Sequence, residues 1–184
     1  MNARNLGFLA SSFDIALSGF MGWYDCFDFI QLKFTRTDTK ASEIWRVLRE
    51  GGRFVSCSWQ EQEDLAWMEA AMLRHFPKLL QDPEYLDRRP IGMAYEKPQG
   101  YEIILKSVGF REIVVTQHSM TSVSTDEEEW WRQMRNLGWE SLLKKIEVDE
   151  LHKVKEAIFE DLQAFKRPGG IHFKKTAFFV CGMK

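Results

Sequence analysis

Residues 40–59 constrain the fold more than any other part of this 184-residue sequence. Apolar residues recur at i, i+3 and i+4 over residues 40–50, which is the spacing of one helix face. Gly51-Gly52 follows, and glycine there takes the left-handed conformation that ends a helix. The next segment, 53–59 (RFVSCSW), has the length and composition of a buried strand. A helix, a tight stop and a buried strand in this order predict an αβ unit of a parallel sheet.

Further helices and strands are predicted on both sides of this unit. The apolar run Phe13–Gly19 predicts a buried strand before it, and strand composition returns at 110–118 and 173–183. Helical periodicity covers 64–80, 100–108 and 148–165, while Thr125 and Glu128 fit a capping box that opens another helix. We find no linker or repeat. The pattern therefore predicts one α/β domain over 1–184, with 82–100 and 120–147 as cap or insert segments.

Charge and composition exclude several functional classes. Lys and Arg number 25 against 27 Asp and Glu, for a net charge of -2, so we expect no nucleic-acid and no membrane partner. The sequence has no secretory signal and no apolar stretch of membrane-spanning length, which favours a soluble, cytoplasmic protein. Cys26, Cys57 and Cys181 form no C-x-x-C pair and the histidines share no ligand spacing, so we expect reduced thiols and no metal site.

Two stretches resemble a known family. Residues 2–8 (NARNLGF), followed by Ser12-Phe13-Asp14, are similar to an Asp-Ala-x-x-Leu-x-Phe segment and the Ser-Phe-Asp that opens a fourth strand. Residues 46–53 (RVLREGGR) match Arg-Val-Leu-x-x-Gly-Gly-Arg before a fifth strand. Both are features of the class I S-adenosylmethionine (SAM)-dependent methyltransferases of the ubiquinone-biosynthesis type. Later positions at 129–131, 138–139 and 170–171 resemble some members, so the resemblance covers nearly the whole chain.

The resemblance implies a fold and an activity. The family's strand order is 3-2-1-4-5-7-6, of which this sequence matches strands 4-5-7-6, with flanking helices and a helical cap. The implied reaction is methyl transfer from SAM to a small-molecule acceptor, yielding S-adenosylhomocysteine. The family's G-x-G-x-G turn and its ribose-binding acidic residue have no counterpart here, so we expect a truncated, C-terminal half that binds SAM weakly or not at all. The alternatives are a non-catalytic methyltransferase-like remnant and a fragment, acting as an oligomeric or binding protein.

The resemblance also implies a cofactor site. Asn2 falls where the family's Asp accepts a hydrogen bond from the adenine amino group, and Ala3 would offer its backbone N–H. Ser18, Gly19 and Phe20 come at the carboxyl end of a strand, where open α/β sheets bind ligands. A plain strand-to-helix turn is the other interpretation of these three residues.

Three aromatic residues are candidates for the wall of a substrate pocket, namely Trp23, Tyr24 and Trp59. Each is also open to interpretation as a packing residue. Methyl transfer requires little acid–base chemistry, because the sulfonium is already activated and alignment supplies much of the rate. The sequence therefore leaves the catalytic residues and the methyl acceptor unassigned.

The same resemblance predicts an exposed sheet edge. Without a strand-one neighbour, Phe13–Gly19 is an edge strand that only Asp14 protects from pairing with another chain. A two-fold axis would pair two such strands antiparallel, so we expect a homodimer through this strand. The alternative is that residues 1–11 fold back over the edge.

Overall fold

The computed structural model describes residue 3 and residues 5–20, 40–87 and 97–184, together with the backbone of Phe27–Asp28 and Lys33–Phe34. The chain divides into two compact units. The first unit comprises 1–60, 95–118 and 176–184, and the second comprises 61–94 and 119–175. The organisation of 1–184 as one domain stays a prediction.

The strands form one main sheet and one small hairpin. They are β1 (Phe13–Gly19), β2 (Phe27–Asp28), β3 (Lys33–Phe34), β4 (Leu48–Gln62), β5 (Arg111–Ser124), β6 (Lys166–Arg167) and β7 (Gly170–Met183). The order in the main sheet is β1-β4-β7-β5, β6 pairs with β7, and β2 pairs with β3. β1 and β4 are parallel. This order confirms the strand arrangement 4-5-7-6 that the family resemblance implies.

Seven α-helices lie within the described residues: α1 (Lys40–Val47), α2 (Glu63–His75), α3 (Pro83–Asp87), α4 (Pro98–Ser107), α5 (Glu127–Met134), α6 (Glu140–Leu143) and α7 (Val148–Leu162). Short 3-10 turns follow α2 and α7, and a π turn links α5 to α6. Within the described ranges, no helix has both the length and the apolar character that crossing a membrane requires.

The prediction that Gly51-Gly52 ends α1 is wrong, because this pair lies inside β4. The helix ends at Val47, and Leu48 already pairs with Phe13 in the sheet. The register then jumps, because Ile15 lies opposite Arg53. The residues between form a bulge in which Gly51 has a φ of 75°. The prediction extended the helix too far because Leu48 continues the apolar helical spacing. In the structure Leu48 is fully buried, but as the first residue of β4.

Two other boundaries differ from the sequence prediction. Asp126, and not Thr125, is the N-cap of α5, because its side chain accepts a hydrogen bond from the Glu129 N–H at 2.7 Å. The Glu129 carboxylate in turn accepts a hydrogen bond from the N–H of Thr125, the residue before the N-cap, at 2.6 Å. Pro83 and Pro98 begin helices within 82–100, which the sequence predicted as a cap or insert segment, because proline suits a first helical turn.

Each unit has its own apolar core. In the first unit, α1 and α4 pack on one face of the sheet, and the buried side chains are Ala41, Ile44, Leu48, Phe54, Tyr101, Ile104, Leu105, Phe110, Phe178 and Val180. In the second unit, α2, α5 and α7 enclose an aromatic cluster that contains Trp130, Trp139 and Phe173. Full burial of one such side chain stabilises a fold by roughly 1.5–3 kcal/mol. The first core therefore holds β1 and β4 in place and positions the candidate site.

Candidate functional site

The candidate site is built on the carboxyl ends of β1 and β4. Ser18 lies opposite Ser56 and Gly19 lies opposite Cys57 in the parallel register. The Phe20 N–H donates to the Cys57 carbonyl at 2.9 Å, which extends the pairing by one residue. Carboxyl ends of neighbouring strands are the edge at which open α/β sheets bind ligands.

Two predicted site residues meet in an aromatic stack. The rings of Phe20 and Trp59 have centroids 4.7 Å apart and an interplanar angle of 28°. Phe20 has a φ of 50°, in the left-handed region that residues other than glycine rarely adopt. Such backbone strain concentrates at functional sites. The sequence analysis assigned Phe20 to the cofactor site and Trp59 to the substrate pocket, and the structure places the two rings in contact.

A cavity of about 280 Å³ lies beside β1 in the first unit. All but one of its lining residues are apolar, the exception being Ser18, and its members are Ala3, Leu6, Phe8, Phe13, Ile15, Ala16, Leu17, Ser18, Ile44 and Val47. The structure thus brings together Ala3 and Ser18, which the sequence assigned to the cofactor site. No acidic residue lines this cavity.

An ion pair on α1 holds the segment that precedes β1. Arg46 donates to the Glu43 carboxylate at 2.7 Å and to the carbonyls of Leu6 and Phe8 at 3.0 and 2.9 Å. The Leu6 N–H donates to Glu43 at 2.8 Å. The hydrogen bond from Arg46, followed by that from Leu6, lowers the pKa of Glu43 to about 2. These bonds hold Leu6 and Phe8, two residues that line the cavity, and the sequence analysis did not anticipate them.

Three predicted site residues, Asn2, Trp23 and Tyr24, lie outside the described residues. The structure adds Ser56, which lies opposite Ser18 and which the sequence analysis did not single out. The signal in the sequence is a polar residue at every second position after Phe54, namely Ser56, Ser58 and Gln60. Such alternation places all of them on one face of the sheet.

The structure offers no metal-binding cluster among its described acidic and histidine side chains. Within the described part of the chain, no three His, Cys, Asp or Glu side chains are grouped so as to hold a metal ion. Glu127, in the acidic run that opens α5, accepts hydrogen bonds from Lys166 at 2.7 Å and Gln163 at 2.6 Å. These bonds lower the pKa of Glu127 to about 2. The run is the acidic first turn of α5, where the helix dipole favours negative charge.

β1 lies at the edge of the sheet, as predicted, and its outer edge has no strand partner among the described residues. Ile15 and Leu17 are 62% and 78% exposed, whereas Ala16 is half-buried against the first core. Arg49 pairs with Asp14, the one charged residue of the strand, at 2.7 Å. The edge is therefore apolar and accessible within this chain.

Comparison with known proteins relates the fold to solved structures. No family model matches the sequence, and no curated protein sequence matches it. A provisionally assigned methyltransferase (BH2331) from Bacillus halodurans C-125 superposes with a TM-score of 0.51 at 14% identity, covering 100% of this chain and 75% of the other. The chain has a methyltransferase fold.

Two further structures show the range of the similarity. The YcgJ protein of Bacillus subtilis has a TM-score of 0.50 at 16% identity, covering all of this chain and 69% of its own. A SAM-dependent methyltransferase of Methanosarcina mazei is a more distant match, with a TM-score of 0.44 at 18% identity and 65% of its chain covered. At these identities the methyltransferase likeness is one of fold.

Proposed function

We propose that this chain takes part in methyl transfer from SAM to a small-molecule acceptor. The observation that carries the proposal is the parallel pair β1–β4, in a sheet ordered as in a methyltransferase, with Ser18, Gly19, Phe20 and Trp59 together at its carboxyl ends. When bound, SAM supplies an activated methyl group. The acceptor's lone pair forms the new bond to the methyl carbon, and the electrons of the carbon–sulfur bond remain on sulfur.

The residues of the site fit one part of SAM. The cavity lined by Ala3 and Ser18 suits a neutral planar ring such as adenine, because its walls are apolar and Ala3 has a backbone N–H. Beside it, the stacked rings of Phe20 and Trp59 would exclude water from the reacting groups. No acidic side chain lines the cavity to bind ribose, and the sequence contains no G-x-G-x-G turn.

We therefore expect weak SAM binding. Loss of two or three hydrogen bonds, at about 1–3 kcal/mol each, removes several decades of affinity. Isothermal titration of the purified chain tests this, with S-adenosylhomocysteine as competitor and ATP as the adenine-containing control. The expected result is saturable, competed binding with a Kd of about 0.1–5 mM. Low-micromolar binding would contradict the weak-binding account, and no binding at about 5 mM would reject methyl transfer by this chain.

A second candidate function, that of a non-catalytic oligomeric protein, is favoured by the exposed β1 edge. A two-fold axis through Ala16 would place Ile15 of one copy opposite Leu17 of the second copy, so the most exposed apolar side chains would cover each other. The single acidic residue, Asp14, would lie opposite Ser18, so no like charges would meet. A second copy therefore suits this edge better than a partner of a different sequence.

Sedimentation velocity at micromolar concentration tests the homodimer. We expect a dimer for the wild-type chain and a monomer for Leu17→Lys, because the introduced charge would face an apolar side chain across the paired strands. Val148→Lys is the matched control, since Val148 is 80% exposed on α7 and outside this edge. A wild-type monomer, or a Leu17→Lys dimer, would reject this interface.

A further inference from the structure

Three strands of the main sheet, β1, β5 and β7, are apolar on both faces within the first unit. β7 contains the run 177–181 (AFFVC), and β1 and β5 contain Ile15-Ala16-Leu17 and Ile113-Val114-Val115. A strand with one face in water alternates apolar and polar residues, whereas consecutive apolar residues are typical of strands that are covered on both faces. The sequence of these strands therefore predicts that both faces of the sheet are covered.

Only one of the two faces is covered within this chain. The core under α1 and α4 contains side chains from alternate positions of each strand, among them Ala16, Phe54, Val115 and Phe178. Their neighbours in sequence point to the other side of the sheet. We call this side the open face, and its members are Ile15, Leu17, Val55, Cys57, Val114, Phe179 and Cys181. Val114 and Phe179 are 57% and 39% exposed, and an apolar patch of this kind marks an interaction surface.

Two opposite charges flank the open face at one end. Arg53 lies on β4 and Glu112 lies on β5, both side chains are exposed, and β7 separates the two strands. The end of β7 reaches both strands. The Lys184 N–H donates to the carbonyl of the residue before Arg53 at 2.9 Å, and a Cβ atom at Gly182 would lie 3.5 Å from the Ile113 side chain. The two charges are therefore level with each other on either side of β7, about 10 Å apart.

We propose that the open face binds the open face of a second copy of this chain, about a two-fold axis that runs along β7. This axis exchanges the two sides of β7, so Arg53 of each copy would lie across from Glu112 of the other copy. Phe179, on the axis strand, would pack against Phe179 of the second copy. A partner of another sequence would need an apolar surface flanked by the same charges in reverse order, which a second copy supplies by symmetry.

The size of the open face sets the expected strength of the contact. Four strands about 4.8 Å apart, each contributing about five residues at about 3.3 Å per residue, give roughly 300 Å² per copy. A stable interface buries about 800 Å² per partner, and weaker encounters bury less. We therefore expect concentration-dependent association with a Kd of about 0.05–0.5 mM. The contact is compatible with pairing at the β1 edge, because that pairing uses the strand backbone and leaves the face free, and it does not depend on methyl transfer.

Sedimentation velocity from about 5 to 500 µM tests the contact, and we expect one weak association step in the wild type. Arg53→Glu and Glu112→Arg should each weaken this step about tenfold, because like charges then meet across the axis, and the double variant should regain the wild-type Kd within about twofold. Phe179→Lys should abolish the step. Ile103→Lys is the matched control and should leave it unchanged, since Ile103 is 36% exposed on α4, which packs on the opposite face. The step joins two β1-edge dimers where these form and two monomers where they do not, so failure of the edge contact leaves this test intact.

Alkylation of two cysteines shows what covers the open face. Cys57 and Cys181 lie on it as half-buried free thiols, so their reaction with iodoacetamide should slow as the protein concentration rises over the same range. A reaction that is slow at every concentration would mean that something other than a second copy covers the face. The proposal is overturned by that result, by a wild type without an association step, by unchanged association in Phe179→Lys, or by a double charge reversal that does not restore association.

Discussion

Gly52 occupies a position where the backbone leaves no room for a side chain. A Cβ atom there would lie 2.7 Å from the Arg49 carbonyl oxygen and 3.2 Å from that of Asp14. Both neighbours are backbone atoms of the β1–β4 bulge and are held by the sheet. The family-like Gly-Gly pair is thus explained by the close approach of backbone within β4, although the sequence analysis attributed it to a helix end.

Gly52→Ala should therefore destabilise the chain. We expect a loss of about 2 kcal/mol and a Tm lower by about 4–8 °C. Gly7→Ala is the control, because nothing lies within 4 Å of a Cβ at that position, and its effect should stay within about 0.5 kcal/mol. Differential scanning calorimetry measures both. Equal Tm values for the two variants would show that the bulge does not require glycine.

The start of α5 shows how an element boundary depends on one residue. The sequence offers two overlapping capping patterns, Thr125 with Glu128 and Asp126 with Glu129. Spacing alone does not separate them, since both place an acceptor three residues before a glutamate. In the structure the second pair forms the cap, and Glu128 instead binds Lys155 at 2.7 Å.

Asp126→Ala should cost about 1 kcal/mol, because an N-cap side chain satisfies a helix N–H group that otherwise has no partner. Glu128→Ala should cost less than about 0.5 kcal/mol, since it removes only an exposed ion pair. Urea denaturation of both variants gives the two values. The reverse ranking would support the capping box predicted from the sequence.

Much of the sheet was predictable from the sequence, and the details of the site were less so. Phe13–Gly19 and residues 53–59 have strand composition, and the family resemblance placed the strands in their observed order. Ser56 was missed because alternating polar residues are typical of half-exposed strands, whereas this side chain is buried in the fold. Boundaries of the two compact units fall inside β4, β5 and β7, where no linker marks them in the sequence.

The whole molecule should lose stability in acid. Glu43 and Glu127 have pKa values of about 2 in the folded chain, against 4.5 for an unperturbed glutamate, so the folded state binds fewer protons than the unfolded state. Their contribution is complete above about pH 4.5 and disappears as the pH falls towards 2. Urea denaturation across this range should show a falling free energy of unfolding. Glu127→Gln should flatten the slope, and an unchanged slope would contradict the assigned partners.

In the proposed function, the carboxyl edge of β1 and β4 binds SAM. The most direct measurement is a proton–nitrogen correlation spectrum of the labelled chain, recorded as SAM is added to about 5 mM. We predict that the amide signals of Ala3, Gly19 and Phe20 shift with one common Kd and that S-adenosylhomocysteine competes for the same site. Unchanged signals at these three amides, with shifts elsewhere or none at all, would contradict the account.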